Sequence, residues 1–259
     1  MYILSADTTA KTASVCVSEV TDNGCVKPCV RSTVNGTLTH SESLLPMIDF
    51  CLKNANISFA DVSAFAVSTG PGSFTGVRIG VSTVKGLCFG SENCKCLGVS
   101  SLEALAFNLS SYSPGTVILP LMDARRSQFY NALFTFSATG KLKRLTDDSL
   151  TTFDEIMALL NEAVPKKKII LTGDGAELFY SLYLKKGGNL KISLCGYADM
   201  YEDAFSVARC AYYKYGKKLD KPDKKCEFSA NNLNPVYLRA SQAERERNEK
   251  LADKNSGGI

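Results

Sequence analysis

The spacing of apolar positions changes along the chain, and each change marks an element. Tyr2–Ala6 is a short apolar run, Asp7–Thr12 is polar, and Ser14–Val20 alternates Val15 and Val17 with Cys16 and Ser18, which predicts a β-hairpin. A third strand is expected around Val26–Val34. Leu44, Leu45, Ile48, Cys51 and Leu52 then recur at helical spacing behind Thr39 or Ser41, either of which can cap a helix. Pro46 lies inside that pattern and should either delay the helix or kink its first turns. Ala64–Val67 predicts a further strand, leading into the Gly-rich loop at Gly70 and a helix over Thr75–Phe89.

The same order then returns. Ser100-Ser101-Leu102-Glu103 has the capping-box pattern and opens a helix expected to bridge to a second unit. Val117–Met122 predicts a strand, Asp123–Ser127 a polar turn, Phe129–Phe136 a returning strand and Phe153–Ala163 a helix. Lys168–Leu171 is a strand running into Gly173-Asp174-Gly175 and another helix. Each half thus reads strand, Asp-led turn, strand, helix, strand, Gly-rich loop, helix, as a duplication of one α/β unit would. Two such units facing a cleft make the layout of actin and the sugar kinases, where hairpins meet phosphate and metal. The expected domains are 1–100 and 101–239, followed by a charged tail over 240–259.

Composition narrows the chemistry. The chain has 259 residues, 45% of them hydrophobic and 22% charged, as in an ordinary globular protein. No run reaches the ~18 apolar residues of a membrane span. MYILSADTTA lacks the basic lead and apolar core of a signal peptide, so a cytoplasmic location and ten reduced cysteines, mostly buried, are expected. The single histidine, His40, excludes metal sites built on two imidazoles. A Ser-His-Asp triad would rest on that one residue, and a thiolate zinc site has no Cys pair at finger spacing. Residues 131–259 carry the net charge of +4, with lysines at 166–168, 185–186 and between 214 and 225. Such runs are either a solvated face or a weak RNA-facing surface.

Several segments could carry function. In GPGSFTGVRIGVSTVKGL (70–87), the glycines let backbone approach closely, and the following helix N-terminus could hold an anion; a plain helix start is the alternative. Walker A is absent. Gly76, Gly80, Thr83 and Leu87 form a smooth stripe, suited to close approach of a second helix, either the 41–52 helix or one from a partner. On that reading Gly80→Arg should block association and leave the fold intact. Asp7-Thr8-Thr9 could hold hydrated Mg²⁺ and phosphate, or be a simple turn. Asp123 and Arg125, with Gly173 and Gly175, are the counterparts in the second half. The dinucleotide fingerprint fails at Leu178. His40 reads as a helix-entry polar residue rather than a base.

Ile3-x-x-x-Asp7-Thr8-Thr9, His40 followed by Leu44-Leu45-Pro46-Met47-Ile48, the 70–87 segment, GVSSLEAL (98–105), DARRSQFY (123–130) and PVYLR (235–239) together resemble the TsaB (YeaZ) family, a bacterial subunit of the machinery that makes threonylcarbamoyladenosine (t6A) in tRNA. Gln128 departs from the Glu usual there, and the tail matches nothing in the family. The resemblance implies an α/β, actin-like (ASKHA ATPase) fold of two duplicated ribonuclease-H-like domains. It also implies a scaffold role beside the catalytic subunit TsaD, whose metal-binding HxxxH pair this chain cannot supply, with no catalytic residue and no metal of its own. TsaD would be gripped by first-domain residues His40, Leu44, Leu45, Ile48, Gly72, Phe74, Gly76, Arg78, Ile79, Gly80, Thr83 and Leu87. A second copy could take the same surface. A P-loop ATPase, TsaE, joins the complex, ATP or ADP with Mg could sit at the subunit boundary, and tRNA would be met through the complex. The competing reading is an ATP-dependent phosphotransferase using Asp7 and Asp123 around Mg²⁺.

Overall fold

The structure, a computed structural model, describes residues 1–36, 39–89, 95–219 and 227–239. The tail at 240–259 and Cys94 lie outside them. The opening hairpin forms as its alternation requires: β1 (Tyr2–Asp7) pairs antiparallel with β2 (Thr12–Val20), and β2 with β3 (Val26–Asn35). Thr39 caps α1 (His40–Ala55), its N–H and hydroxyl both donating to Glu42. That cap fixes the start, so Pro46 does not delay the helix and sits exposed within it. β4 (Val62–Ser68), α2 (Phe74–Phe89) and β5 (Lys95–Val99) complete a sheet of order β3-β2-β1-β4-β5.

The second half repeats that order. β6 (Val117–Asp123) pairs antiparallel with β7 (Gln128–Asn131) and parallel with β11 (Lys168–Thr172). With β10 (Ser149–Thr152) and β12 (Lys191–Leu194) the path is β10-β7-β6-β11-β12. First, second, third, fourth and fifth strands of the two sheets thus correspond, with the crossovers in the same places, which is the duplicated ribonuclease-H-like, actin-like fold. The returning strand expected over Phe129–Phe136 is broken instead: β7 and β8 (Phe134–Phe136) both pair with β6, and β8 continues to β9 (Leu142–Arg144). Ala132 and Leu133 fall between them, buried, so the chain switches register without losing its core contacts.

Strand parity decides what covers the first sheet. Leu4 and Ala6 turn to one face with Leu44, Ile48, Val77 and Val81, the buried sides of α1 and α2. Ile3, Ala64 and Ala66 turn to the other, into a core shared with the second half. Ser5 also faces that way and donates to the carbonyl of Ala204 at 2.6 Å. Ala204 begins α6 (Ala204–Leu219), which packs on β1, β2, β4 and β5 of the first sheet and on α3 (Ser101–Asn108). The 101–239 segment is therefore not a segregated domain, because its last helix returns to cover the first sheet. α4 (Phe153–Ala163) and α5 (Ala176–Lys185) pack on the second. At α3, Ser100 accepts from the Glu103 N–H at 3.2 Å, but the Glu103 carboxylate binds Arg144 instead of closing the expected box.

Cysteine usage differs from the expectation in one pair. Cys88 at the end of α2 and Cys96 in β5 are disulfide-bonded, with Cα atoms 6.6 Å apart, because the helix ends beside the strand that follows it. Cys16, Cys51, Cys195 and Cys210 are free and buried, while Cys25 and Cys29 are free and exposed at β3. Among the described residues no helix is long and apolar enough to cross a membrane.

The glycines of α2 face inward. A Cβ on Gly76 would lie 2.0 Å from the Thr8 carbonyl oxygen, and one on Gly80 would lie 2.5 Å from Thr8 Oγ1. Thr8 is fully buried and donates to the Gly76 carbonyl at 2.8 Å. Gly76 and Gly80 thus receive the chain's own hairpin tip, and Gly80→Arg would break the fold before it reached any interface. Gly80→Ala is expected to cost about 1–3 kcal/mol by overpacking. In a Thr8→Ala background, which removes the clashing hydroxyl, the same change should be near neutral, since Ala gains about 1 kcal/mol of helix propensity over Gly. Urea unfolding of the four variants measures that non-additivity, and equal costs in both backgrounds would refute the packing account.

Candidate functional site

The two halves enclose a cleft of about 590 Å³. The first half contributes Thr9, Ala10 and Lys11 from the β1–β2 turn, His40, and the segment Gly72–Phe74. The second contributes Asp123–Arg126 from the β6–β7 turn, Tyr130 and Asp174. Val236–Arg239 line its remaining side.

The first hairpin does not present its carboxylate to this cleft. Asp7 is buried, its Oδ1 accepting from the Thr9 N–H at 2.8 Å and the Thr9 hydroxyl at 2.7 Å. Its Oδ2 accepts from Ser68. Burial pushes the Asp7 carboxyl up, against the pull of the Ser68 and Thr9 donors. Asp7, read from sequence as a holder of hydrated Mg²⁺, and Thr8, read as a phosphate donor, are both buried and do not line the cleft; their polar groups bind Thr9, Ser68 and Gly76 of the chain itself. Of Asp7, Thr8 and Thr9, Thr9 does line it, and its carbonyl accepts from the Ser73 N–H at 2.7 Å.

The second hairpin is open. Asp123 accepts from the Arg125 backbone N–H at 2.8 Å and pairs with its guanidinium at 3.0 Å, yet the Arg125 side chain is 72% exposed. Arg125, Arg126 and Ser127 all have left-handed backbone, at φ of 62, 55 and 59°, so the turn carries strain and holds two arginines at the rim. Gly173 and Gly175 do not line the cleft. They let the β11–α5 loop lie against β6, with the Gly175 N–H donating to Leu121 O at 3.0 Å. Between them Asp174 does line the cleft and accepts from the Asp123 N–H at 3.0 Å, while burial raises its carboxyl.

His40 opens α1 and lies 2.7 Å through Nε2 from the Ala10 carbonyl. A carbonyl can only accept, so this nitrogen donates and ties α1 to the hairpin tip. Of the other residues assigned from sequence to a partner surface, Leu44, Ile48, Gly76 and Gly80 are buried within the chain, a correction that follows from sheet parity and from Thr8. Leu45 is 54% exposed, Arg78 is exposed, and Gly72, Phe74, Ile79, Thr83 and Leu87 are half-buried. Ser82 and Gly86, which sequence reasoning passed over, are exposed on the same helix.

A resident magnesium ion does not fit this donor set. Both Asp7 oxygens and both Asp123 oxygens are taken, and among the described residues no group of three His, Cys, Asp or Glu side chains could hold a metal. Lys11, Arg125, Arg126 and Arg239 give the cleft a basic lining that suits an anion.

Glu202 had no signal in the sequence. It is buried just before α6, and among the described residues neither carboxyl oxygen has a hydrogen-bond partner. Burial, then the neighbouring charges of Asp174 and Asp7, push it well above the usual carboxylate range.

Comparison with known proteins places this architecture. Residues 35–248 match the family described as "TsaD: tRNA N6-adenosine threonylcarbamoyltransferase". The TsaB protein of Escherichia coli is 34% identical over 141 residues, 54% of this chain and 58% of that one. The TsaB of Bacillus subtilis is 35% identical over 123 residues, 48% and 52% of the two chains. The matched region thus spans little more than half the length of these relatives. The structure of YeaZ from Pseudomonas aeruginosa superposes with a TM-score of 0.70 at 23% identity, covering 92% of this chain and 99% of that one, which extends the shared fold well beyond the stretch matched in sequence. The fold and cleft define a member of the duplicated actin-like class. The chain belongs to the TsaD family, and the TsaB (YeaZ) proteins are among the relatives it matches.

Glu202 generates a pH-dependent prediction. Its folded pKa exceeds the unfolded value near 4.3, so the folded state holds this proton more tightly, and stability contributed by the neutral acid is lost as pH rises above ~4.3. Glu202→Gln should therefore raise Tm at pH 8, by about 2–4 °C per kcal/mol relieved, and leave it unchanged near pH 4. Thermal scans of both proteins across that range test this, and a pH-independent difference would count against a raised Glu202.

Proposed function

We propose that this chain is an accessory subunit in t6A formation: it binds a TsaD-type catalytic subunit and holds it competent while that subunit transfers threonylcarbamoyl to the adenosine beside the tRNA anticodon. The state of the first hairpin carries this reading. Asp7 spends its carboxylate on Thr9 of its own turn and on Ser68 of β4, and a chain with one histidine cannot supply two imidazole ligands. With the chemistry assigned to the partner, the part left to this chain is grip. The outward side of α2 suits that, since Ser82, Thr83 and Gly86 present low relief beside Ile79, and the neighbouring helix α1 exposes Leu45.

TsaE and tRNA would then join through the assembled complex, in the cytoplasm, and a second copy of this chain would compete with TsaD for the α1–α2 side. The basic cleft would take the phosphates of ATP or ADP at the complex, with any Mg²⁺ brought by the nucleotide rather than held by this chain. The reading is tested by co-purification with the cognate TsaD-type subunit and a t6A assay with and without this chain. Ser82→Arg with Thr83→Arg should weaken association at least ~10-fold and leave Tm within the range of ordinary surface changes. Undiminished association of that variant, full t6A synthesis without this chain, or ATP turnover by the isolated chain would each overturn the proposal.

A further inference from the structure

The PVYLR segment plays no part in the function proposed above, yet it touches both halves. Leu233 packs in the core beneath α1 and α2, and Leu238 packs against the larger core shared with the second half. Between them the chain crosses the mouth of the cleft. On the first half, the Val236 N–H donates to the Thr69 carbonyl at 2.8 Å. The Val236 carbonyl lies so close to Gly70 that a Cβ there would be 2.5 Å away, and Gly70 has φ +113°, so the crossing is built into the loop it passes. The Tyr237 ring lies 4.8 Å from that of Phe74, and its hydroxyl accepts from Arg78 Nε at 2.9 Å. The Arg78 guanidinium sits 3.9 Å over Phe74, which closes a three-membered stack at the start of α2. On the second half, Arg239 donates to the Ala124 carbonyl at 2.8 Å, in the strained turn that carries Arg125 and Arg126.

We propose that residues 236–239 are a latch: they couple the start of α2 to the β6–β7 turn, so that the width of the cleft and the position of Phe74 and Arg78 change together. Two anchors of different chemistry, an aromatic–cation stack at Tyr237 and a guanidinium–carbonyl bond at Arg239, stand two residues apart, with the chain bent at 238 and 239. Two residues reach at most ~7 Å, so neither anchor can shift far without pulling on the other. Releasing one therefore loosens the other. Anything that widens the cleft must break the Arg239 bond or drag Tyr237 from α2, and a ligand that spreads the halves would be felt at the outer side of α2. The latch stands on the chain alone and does not depend on which partner α2 meets.

The test uses the full chain without partner or ligand. Hydrogen exchange is read at Ser73 and Val77, which report the first-half anchor, and at Asp123 and Ala124, which report the second. Tyr237→Ala, Arg239→Ala and the double variant are compared, with circular dichroism confirming that each is folded. If the latch is real, Arg239→Ala speeds exchange at Ser73 and Val77, and Tyr237→Ala speeds it at Asp123 and Ala124, each by roughly 5-fold or more. The double variant should exceed the larger single effect only slightly, because one release already frees the segment. Acceleration confined to the mutated end, with additive effects in the double variant, would overturn the proposal. Should Tyr237→Ala fail to fold, Tyr237→Phe keeps the ring and removes only the Arg78 bond, and it should produce the same remote acceleration at smaller amplitude; its absence would be equally decisive.

Discussion

The contact on which the rest of the molecule turns is the burial of Thr8 between the β1–β2 hairpin and α2. Its hydroxyl donates to the Gly76 carbonyl, and its atoms occupy the space that side chains at 76 and 80 would need. Two backbones that approach this closely fix the position of α2 over β1 and β4 and leave no room for a ligand at that point. They also settle the fate of Asp7, which is drawn into the same tight turn and spends its carboxylate on Thr9 and Ser68. The hairpin is thereby closed against α2 from within, and what α2 leaves exposed includes the small residues Ser82 and Gly86.

The duplication lets the two hairpins be compared directly, and they differ. Both sheets share one strand order, and both place an Asp-led turn opposite a Gly-containing loop. In the second half, however, the turn stays open, with Asp123, Arg125 and Arg126 on the cleft. The two halves are therefore equal as folds and unequal as sites. Charge follows the same division, since Asp174 lies in the cleft on the second side, while on the first Asp7 is hidden.

The hairpin, α1, α2 and the order of the second half could be read from the chain because each depends on local periodicity and capping: Thr39 caps α1 as its hydroxyl suggests, and β2 alternates as its valines do. Three features could not be read, each for want of a long-range fact. Gly76 and Gly80 clearly share one side of a helix, but only the fold brings Thr8 to it, so an inward stripe passed for an outward one. Helix α6 buries Ala204, Val207, Ala208 and Ala211 against a sheet formed at the other end of the chain, a pairing that no local pattern announces. Glu202 resembles any polar residue before a helix, and only its burial beside Asp7 and Asp174 makes it unusual.

Glu202 also bears on how the two halves are joined. The core that runs beneath α6 is continuous from the first sheet into the second, so the halves do not meet as two closed surfaces. An unpartnered acid at that junction costs stability whenever it ionises, and a fold selected for rigidity alone would replace it with an apolar side chain. Its place just before α6 sets that cost at the junction of the two halves, where one core serves both sheets and the cleft opens between their hairpins.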